Sequence, residues 1–270
     1  MNFIKAVEST WQKNNSLVCV GLDSDVAKIP LRFQDLENPL FEFNKAIVDA
    51  TTDLVCAYKP QIAYYSASSA EQDLILTIDY IHRNYPGIPV ILDAKRGDIG
   101  ATSEKYVQEV FDRYKADAVT VNPYLGFDAL QPFLNQKDKG VIILCRTSNP
   151  GARDIQDLES NRQKLYQIVA FKAVHEWNDN GNVLLVVGAT FPGELKEIRT
   201  IVGDMPLLVP GIGAQGGDVE KAVVNGKSRN GTGMIINSSR GIIYAGQGDD
   251  FARAAREATM SLRDQINQFR

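Results

Sequence analysis

Eight short apolar, β-branched runs recur along the chain, at 17–22, 55–58, 90–92, 118–121, 141–144, 183–187, 207–209 and 234–236, and they constrain the fold more than any other feature. Most are continuously hydrophobic, as in V-L-L-V-V at 183–187, rather than alternating with polar residues. Strands apolar on both faces belong in a parallel sheet that is covered on both sides. Between the runs lie segments of helical pattern. Phe43, Ala46, Ile47 and Ala50 trace one face of a helix over 41–52, and 71–84, 103–114, 128–134, 162–178, 193–202, 218–224 and 249–269 behave similarly. Residues 3–13 add a helix ahead of the first strand. Thr102 reads as a lone N-cap for 103–114, since Lys105 rather than Glu stands three residues on. Eight strands alternating with helices in 270 residues predict an α/β fold: a single-domain (β/α)₈ TIM barrel over 1–270, with an extra N-terminal helix. A doubly wound open sheet is the alternative.

Composition narrows the partners. A net charge of −4 leaves no basic surplus for a nucleic acid. Cys19, Cys56 and Cys145 sit singly in apolar runs without CxxC spacing, and read as small buried hydrophobes in a reducing compartment. His82 and His175 are isolated within helix patterns, which argues against a zinc site. The start, MNFIKAVESTWQKNN, carries charges among its apolar positions and has no signal-peptide core. No run reaches the roughly 18 apolar residues of a membrane span. The expectation is a cytoplasmic protein with neither a membrane nor a nucleic-acid partner.

Active sites of such barrels gather at the carboxyl ends of the strands. Those ends carry Asp23, Lys59, Asp93 with Lys95, Asn122, Arg146 with Ser148, Gln215, and Ser239 with Arg240. Asn122 or Arg146 alone fits a solvated loop residue. Lysines and carboxylates on adjacent strand ends need more explanation. Asp93 and Lys95 are two apart, so a regular strand points both side chains the same way. Facing the barrel interior, they would meet Lys59, with Asp98 beyond. A purely structural ion-pair network is a weak stabilising device, because desolvation consumes much of the attraction, so a functional use explains the cluster better. Tyr64 and Tyr65 read as packing residues.

Two late turns, G-I-G-A-Q-G-G-D after 207–210 and S-S-R-G after 234–237, complete the pattern. Glycines there let backbone N–H groups approach an anion, and Arg240 adds a bidentate donor near Gln215. The reading is a phosphorylated small molecule across the barrel mouth, its reacting end over the Lys/Asp cluster. The irregular stretch 147–161 is long enough to be functional.

The stretch D-A-K-R-G-D-I-G-A-T at 93–102 resembles the Asp-x-Lys-x-x-Asp-Ile-x-x-Thr pattern of the orotidine 5′-phosphate decarboxylase family. The resemblance extends along the chain through V-G-L-D, Y-K-P-Q, R-T-S-N-P-G, P-G-I-G-A-Q-G-G-D and S-S-R-G-I, and the extended R-T-S-N-P-G-A-R-D loop is similar to the longer bacterial subfamily. It implies decarboxylation of orotidine 5′-monophosphate to UMP in de novo pyrimidine biosynthesis, with no metal or organic cofactor. It implies a catalytic array of Lys59, Asp93, Lys95 and Asp98, with Asp93 beside the departing carboxylate and Lys95 protonating C6. Asp23 and Lys59 would hold a ribose hydroxyl, Ser148 the pyrimidine, and Gln215 and Arg240 the phosphate; Pro210 and Ser239 join the substrate-binding set. Asp98 and Thr102 would reach into a neighbouring subunit's site, implying a homodimer. The glycine-rich loop after the seventh strand would close as a lid. Arg96 has no place in the pattern.

Three other readings compete: a Mg²⁺-dependent phosphosugar aldolase or ketoacid decarboxylase, a Schiff-base aldolase using Lys59 or Lys95, and a non-catalytic nucleotide-binding barrel.

Overall fold

The computed structural model of the chain describes residues 1–212 and 218–270. Among the described residues, eight parallel strands form one sheet: β1 (Val18–Leu22), β2 (Ala57–Pro60), β3 (Ile91–Arg96), β4 (Ala118–Val121), β5 (Gly140–Arg146), β6 (Val183–Val187), β7 (Leu207–Pro210) and β8 (Met234–Ser238). The strand order is β2-β1-β8-β7-β6-β5-β4-β3. Parallel bridges Tyr58–Val90 and Gln61–Asp93 then join β2 to β3, and the Tyr58 N–H donates to Pro89 O at 3.1 Å. In an open sheet β2 and β3 would be edges. Here they meet, and the barrel closes.

The closed form explains the apolar runs. Every residue of β1, β4 and β6 is buried, because one face fills the barrel and the other meets the surrounding helices. Helices Pro39–Thr51, Glu71–Asn84, Phe127–Leu134, Leu165–His175, Pro192–Val202, Val219–Gly226 and Phe251–Asn267 follow the expected segments to within a few residues. The N-terminal helix, Phe3–Lys13, caps the amino end: the Phe3 N–H donates to Asp138 O, and Thr10 Oγ1 donates to Cys56 O.

Three local expectations are corrected. Thr102 is not an N-cap, because the helix starts at Gly100. Gly100 takes φ +50°, which turns the chain into the helix three residues early and leaves Thr102 exposed in the first turn. Ser103 makes the local side-chain bonds instead, donating to Asp98 O and Ala129 O. Residues Gln108–Arg113 then continue as a π-helix. The 147–161 stretch is not irregular: it holds a 3₁₀ turn at Pro150–Ala152, a short helix at Arg153–Gln156 and the first strand of an antiparallel pair, Glu159–Ser160 with Gln163–Lys164. Asn161 and Arg162 take positive φ to make the pair's turn, so the next helix begins at Leu165. The three cysteines are free and buried, and among the described residues no helix is long and apolar enough to cross a membrane.

Candidate active site

The carboxyl ends of the strands enclose a cavity of about 300 Å³. At its base, β2 contributes Lys59 and β3 contributes Asp93 and Lys95. Lys59 Nζ donates to Asp93 Oδ2 at 3.0 Å and lies 3.9 Å from Asp23 Oδ1. Lys95 Nζ donates to Asp93 Oδ1 at 2.7 Å. One carboxylate therefore sits between two ammoniums.

Regular strand alternation is not what brings Asp93 and Lys95 together. Pairing of β3 with β4 slips between Leu92 and Arg96, and Lys95 adopts φ +46°. Thr120 on β4 holds this bulge: its Oγ1 accepts the N–H groups of Ala94 and Lys95 and donates to Asp93 Oδ1 at 2.8 Å. A non-glycine residue in the left-handed region is strained, and here the strain turns the Lys95 ammonium back over Asp93.

Burial opposes ionisation of Asp93, yet Lys59 and Lys95 outweigh it and hold its carboxyl well below the usual range. Burial likewise opposes the charge on Lys59, but Asp93 and Asp23 overcome it and raise its pKa above the ordinary lysine value. Cys19, close to this cluster, is pushed up to about 12 by burial and stays a thiol.

Asp23, Lys59, Asp93, Lys95, Ser148, Pro210, Ser239 and Arg240 all line the cavity. Gln215, and most of the glycine-rich turn read as a lid, lie outside the described residues. Asp98 and Thr102 are not at this cavity: Asp98 Oδ1 accepts the Ile99 N–H on the flank of the barrel, and Thr102 is exposed. Asn122 is also exposed, accepting the Tyr124 N–H as the cap of a 3₁₀ turn. Arg96 forms a two-bond ion pair with Glu109.

Arg146 is neither a solvated loop residue nor a cavity group. It is completely buried under the 147–157 segment, 3.3 Å from Asp157 Oδ1 and 3.6 Å from Glu194 Oε1, with its guanidinium over the Phe191 ring at 4.4 Å. Gln156 holds the same segment by accepting the Thr147 N–H and donating to Thr147 Oγ1. Tyr65 is a packing residue, its hydroxyl donating to Leu22 O and accepting from Asn44. His82 pairs with Asp117, and His175 packs on Phe171.

Thr120, Thr147 and Asn237 also line the cavity and were missed in the sequence. For Asn237 a signal existed, since its carboxamide directly follows the apolar run at 234–236, whereas Thr120 passes for an ordinary β-branched strand residue. Among the described residues no group of three or more His, Cys, Asp or Glu side chains is placed to hold a metal ion.

Comparison with known proteins identifies the family of the chain and agrees with its fold. A family model, described as "Orotidine 5′-phosphate decarboxylase / HUMPS family", matches residues 16–257. The orotidine 5′-phosphate decarboxylase of Dechloromonas aromatica is 59% identical over 270 residues, covering 100% of both chains. That of Ralstonia pickettii is 58% identical with the same coverage. The structure of Leishmania donovani OMP decarboxylase superposes with a TM-score of 0.86 at 37% identity, covering 100% of this chain and 99% of the other.

Proposed function

Since the chain belongs to the orotidine 5′-phosphate decarboxylase / HUMPS family, we propose that it works through the Lys59–Asp93–Lys95 row, converting orotidine 5′-monophosphate to UMP within one domain spanning 1–270. Its full-length relatives at 58% and 59% identity place it in the decarboxylase branch, and the chain is a carboxy-lyase of that kind. The observation that carries the mechanism is one ionised carboxylate flanked by two ammoniums in the cavity at the carboxyl ends of the strands.

The substrate's C6 carboxylate lies beside Asp93. Breaking the C6–CO₂ bond leaves the electron pair on C6. The Lys95 ammonium stabilises that developing charge more than it stabilises the ground state, and then transfers a proton to C6. The products are CO₂ and UMP, and Lys95, whose side chain is 47% exposed, regains its proton from solvent. Lys59 stays charged, holding Asp93 in place and sharing a ribose hydroxyl with Asp23. Because Asp93 and Asp23 raise its pKa, Lys59 is a poor Schiff-base nucleophile. Ser148 meets the pyrimidine; Ser239 and Arg240 meet the phosphate at the opposite rim, with Gln215, and Pro210 packs between.

Asp98 and Thr102 serve the neighbouring subunit of a homodimer. Exposed Ile99, Tyr124, Leu125 and Phe127, in the segments that follow β3 and β4, supply apolar surface for that interface.

The test is the absorbance change of orotidine 5′-monophosphate with purified protein and excess EDTA. Turnover undiminished by the chelator is expected. No turnover refutes the activity, and turnover abolished by EDTA returns the Mg²⁺-dependent reading.

A further inference from the structure

We infer that Asn237 is a further substrate-binding residue, gripping the hydroxyl edge of the ribose together with Asp23; this rests on the nucleotide reading above. Asn237 lies on β8, in register with Cys19 of β1, and 8% of it is exposed. It lines the cavity, yet among the described residues its Oδ1 has no hydrogen-bond partner. Two other buried atoms of cavity-lining residues share that condition, Asp23 Oδ1 and Ser239 Oγ. Gly21 leaves room for them: a Cβ there would lie 3.1 Å from Asn237 Oδ1, 3.1 Å from Ser239 Oγ and only 2.7 Å from Ser239 Cβ.

Buried polar groups are normally paired, and an unpaired one costs stability. The Asn237 backbone already has its place in the sheet between β1 and β7. An apolar side chain would suit a barrel interior better, so the carboxamide is built for a partner that the described residues do not supply. The chemistry of that partner follows from the orphan atoms. Asp23 Oδ1 and Asn237 Oδ1 both accept hydrogen bonds. A phosphate dianion has no proton to give them. A sugar hydroxyl gives its proton to one acceptor and its lone pairs to Asn237 Nδ2. The ribose therefore fits between Asp23 and Asn237, and the phosphate falls to Arg240.

The test measures binding of UMP, 2′-deoxy-UMP and 3′-deoxy-UMP by calorimetry to wild type and Asn237→Ala, alongside the melting temperature of each unliganded protein. Asn237→Val is a second variant, whose side chain packs as a strand residue. The expected result is about tenfold weaker UMP binding. The unliganded melting temperature should be unchanged or higher, since among the described residues Asn237 Oδ1 has no hydrogen bond to lose. The wild-type preference for UMP over one of the two deoxy analogues should also shrink. Unchanged UMP affinity in both variants overturns the inference, whether or not the melting temperature falls. Equal weakening of all three ligands overturns the ribose assignment. Failure of the nucleotide reading is separate and visible first: wild type itself would neither bind UMP nor turn over orotidine 5′-monophosphate.

Discussion

Replacing Lys95 by alanine removes one of the two ammoniums on Asp93. In the native site the ammoniums of Lys59 and Lys95 balance the carboxylates of Asp23 and Asp93. Without Lys95 the cluster carries one net negative charge and faces an anionic substrate. The fold should survive: the Lys95 side chain is 47% exposed, so much of its attraction to Asp93 is screened, and Lys59 remains 3.0 Å from Asp93. Catalysis should not. An ammonium ~4 Å from a full negative charge, at an effective dielectric of ~20, is worth about 4 kcal/mol, or nearly 10³-fold in rate. Loss of the positioned proton donor costs roughly a further 10²–10⁴-fold. Together they predict a fall in kcat of about 10⁵-fold or more for Lys95→Ala. UMP carries no C6 carboxylate, so its affinity should change by less than about tenfold. Lys95→Arg separates the two contributions, because it keeps the charge but holds its proton too tightly to donate it. Steady-state kinetics and UMP calorimetry on the three proteins are the assay. A Lys95→Ala or Lys95→Arg enzyme within tenfold of wild-type kcat would refute the proton-donor assignment.

The dimer proposal predicts complementation. Inactive Lys95→Ala and Asp98→Ala proteins, mixed one to one and allowed to exchange subunits, should regain about a quarter of wild-type activity, because half of the dimers then hold one intact site. A mixture that stays at the level of its parents would place each site within one subunit. The depressed pKa of Asp93 predicts an acid dependence: its carboxylate contributes stability above the unfolded value of about 3.9, and that contribution is lost as pH falls toward the lower folded value. Below pH ~4, urea unfolding of wild type should therefore lose stability more steeply than Asp93→Asn, by up to about 1.4 kcal/mol per pH unit, and coincident slopes would sink the argument.

What the sequence revealed and what it concealed divide along one line. Barrel strands were legible because burial on both faces leaves an unbroken apolar run, and the Lys/Asp cluster was legible because charges there interrupt that run. The interactions that aim those charges were not. Thr120 looks like any β-branched strand residue until the β3–β4 slip puts its hydroxyl under two backbone N–H groups. Arg146 follows an apolar run just as Lys59 does, and nothing local shows that one faces the cavity while the other is roofed by the segment after it. The difference arises because Gly140–Arg146 ends in its own register slip against β6, between Leu144 and Arg146. That slip sends the guanidinium outward to Asp157, Glu194 and Phe191, and leaves Thr147 and Ser148 at the cavity wall. At both β3 and β5, then, an irregularity at the strand's end, two extra residues in β3 and one in β5, decides which side chain lines the cavity. Period-two reasoning assumes the regularity that the site depends on breaking.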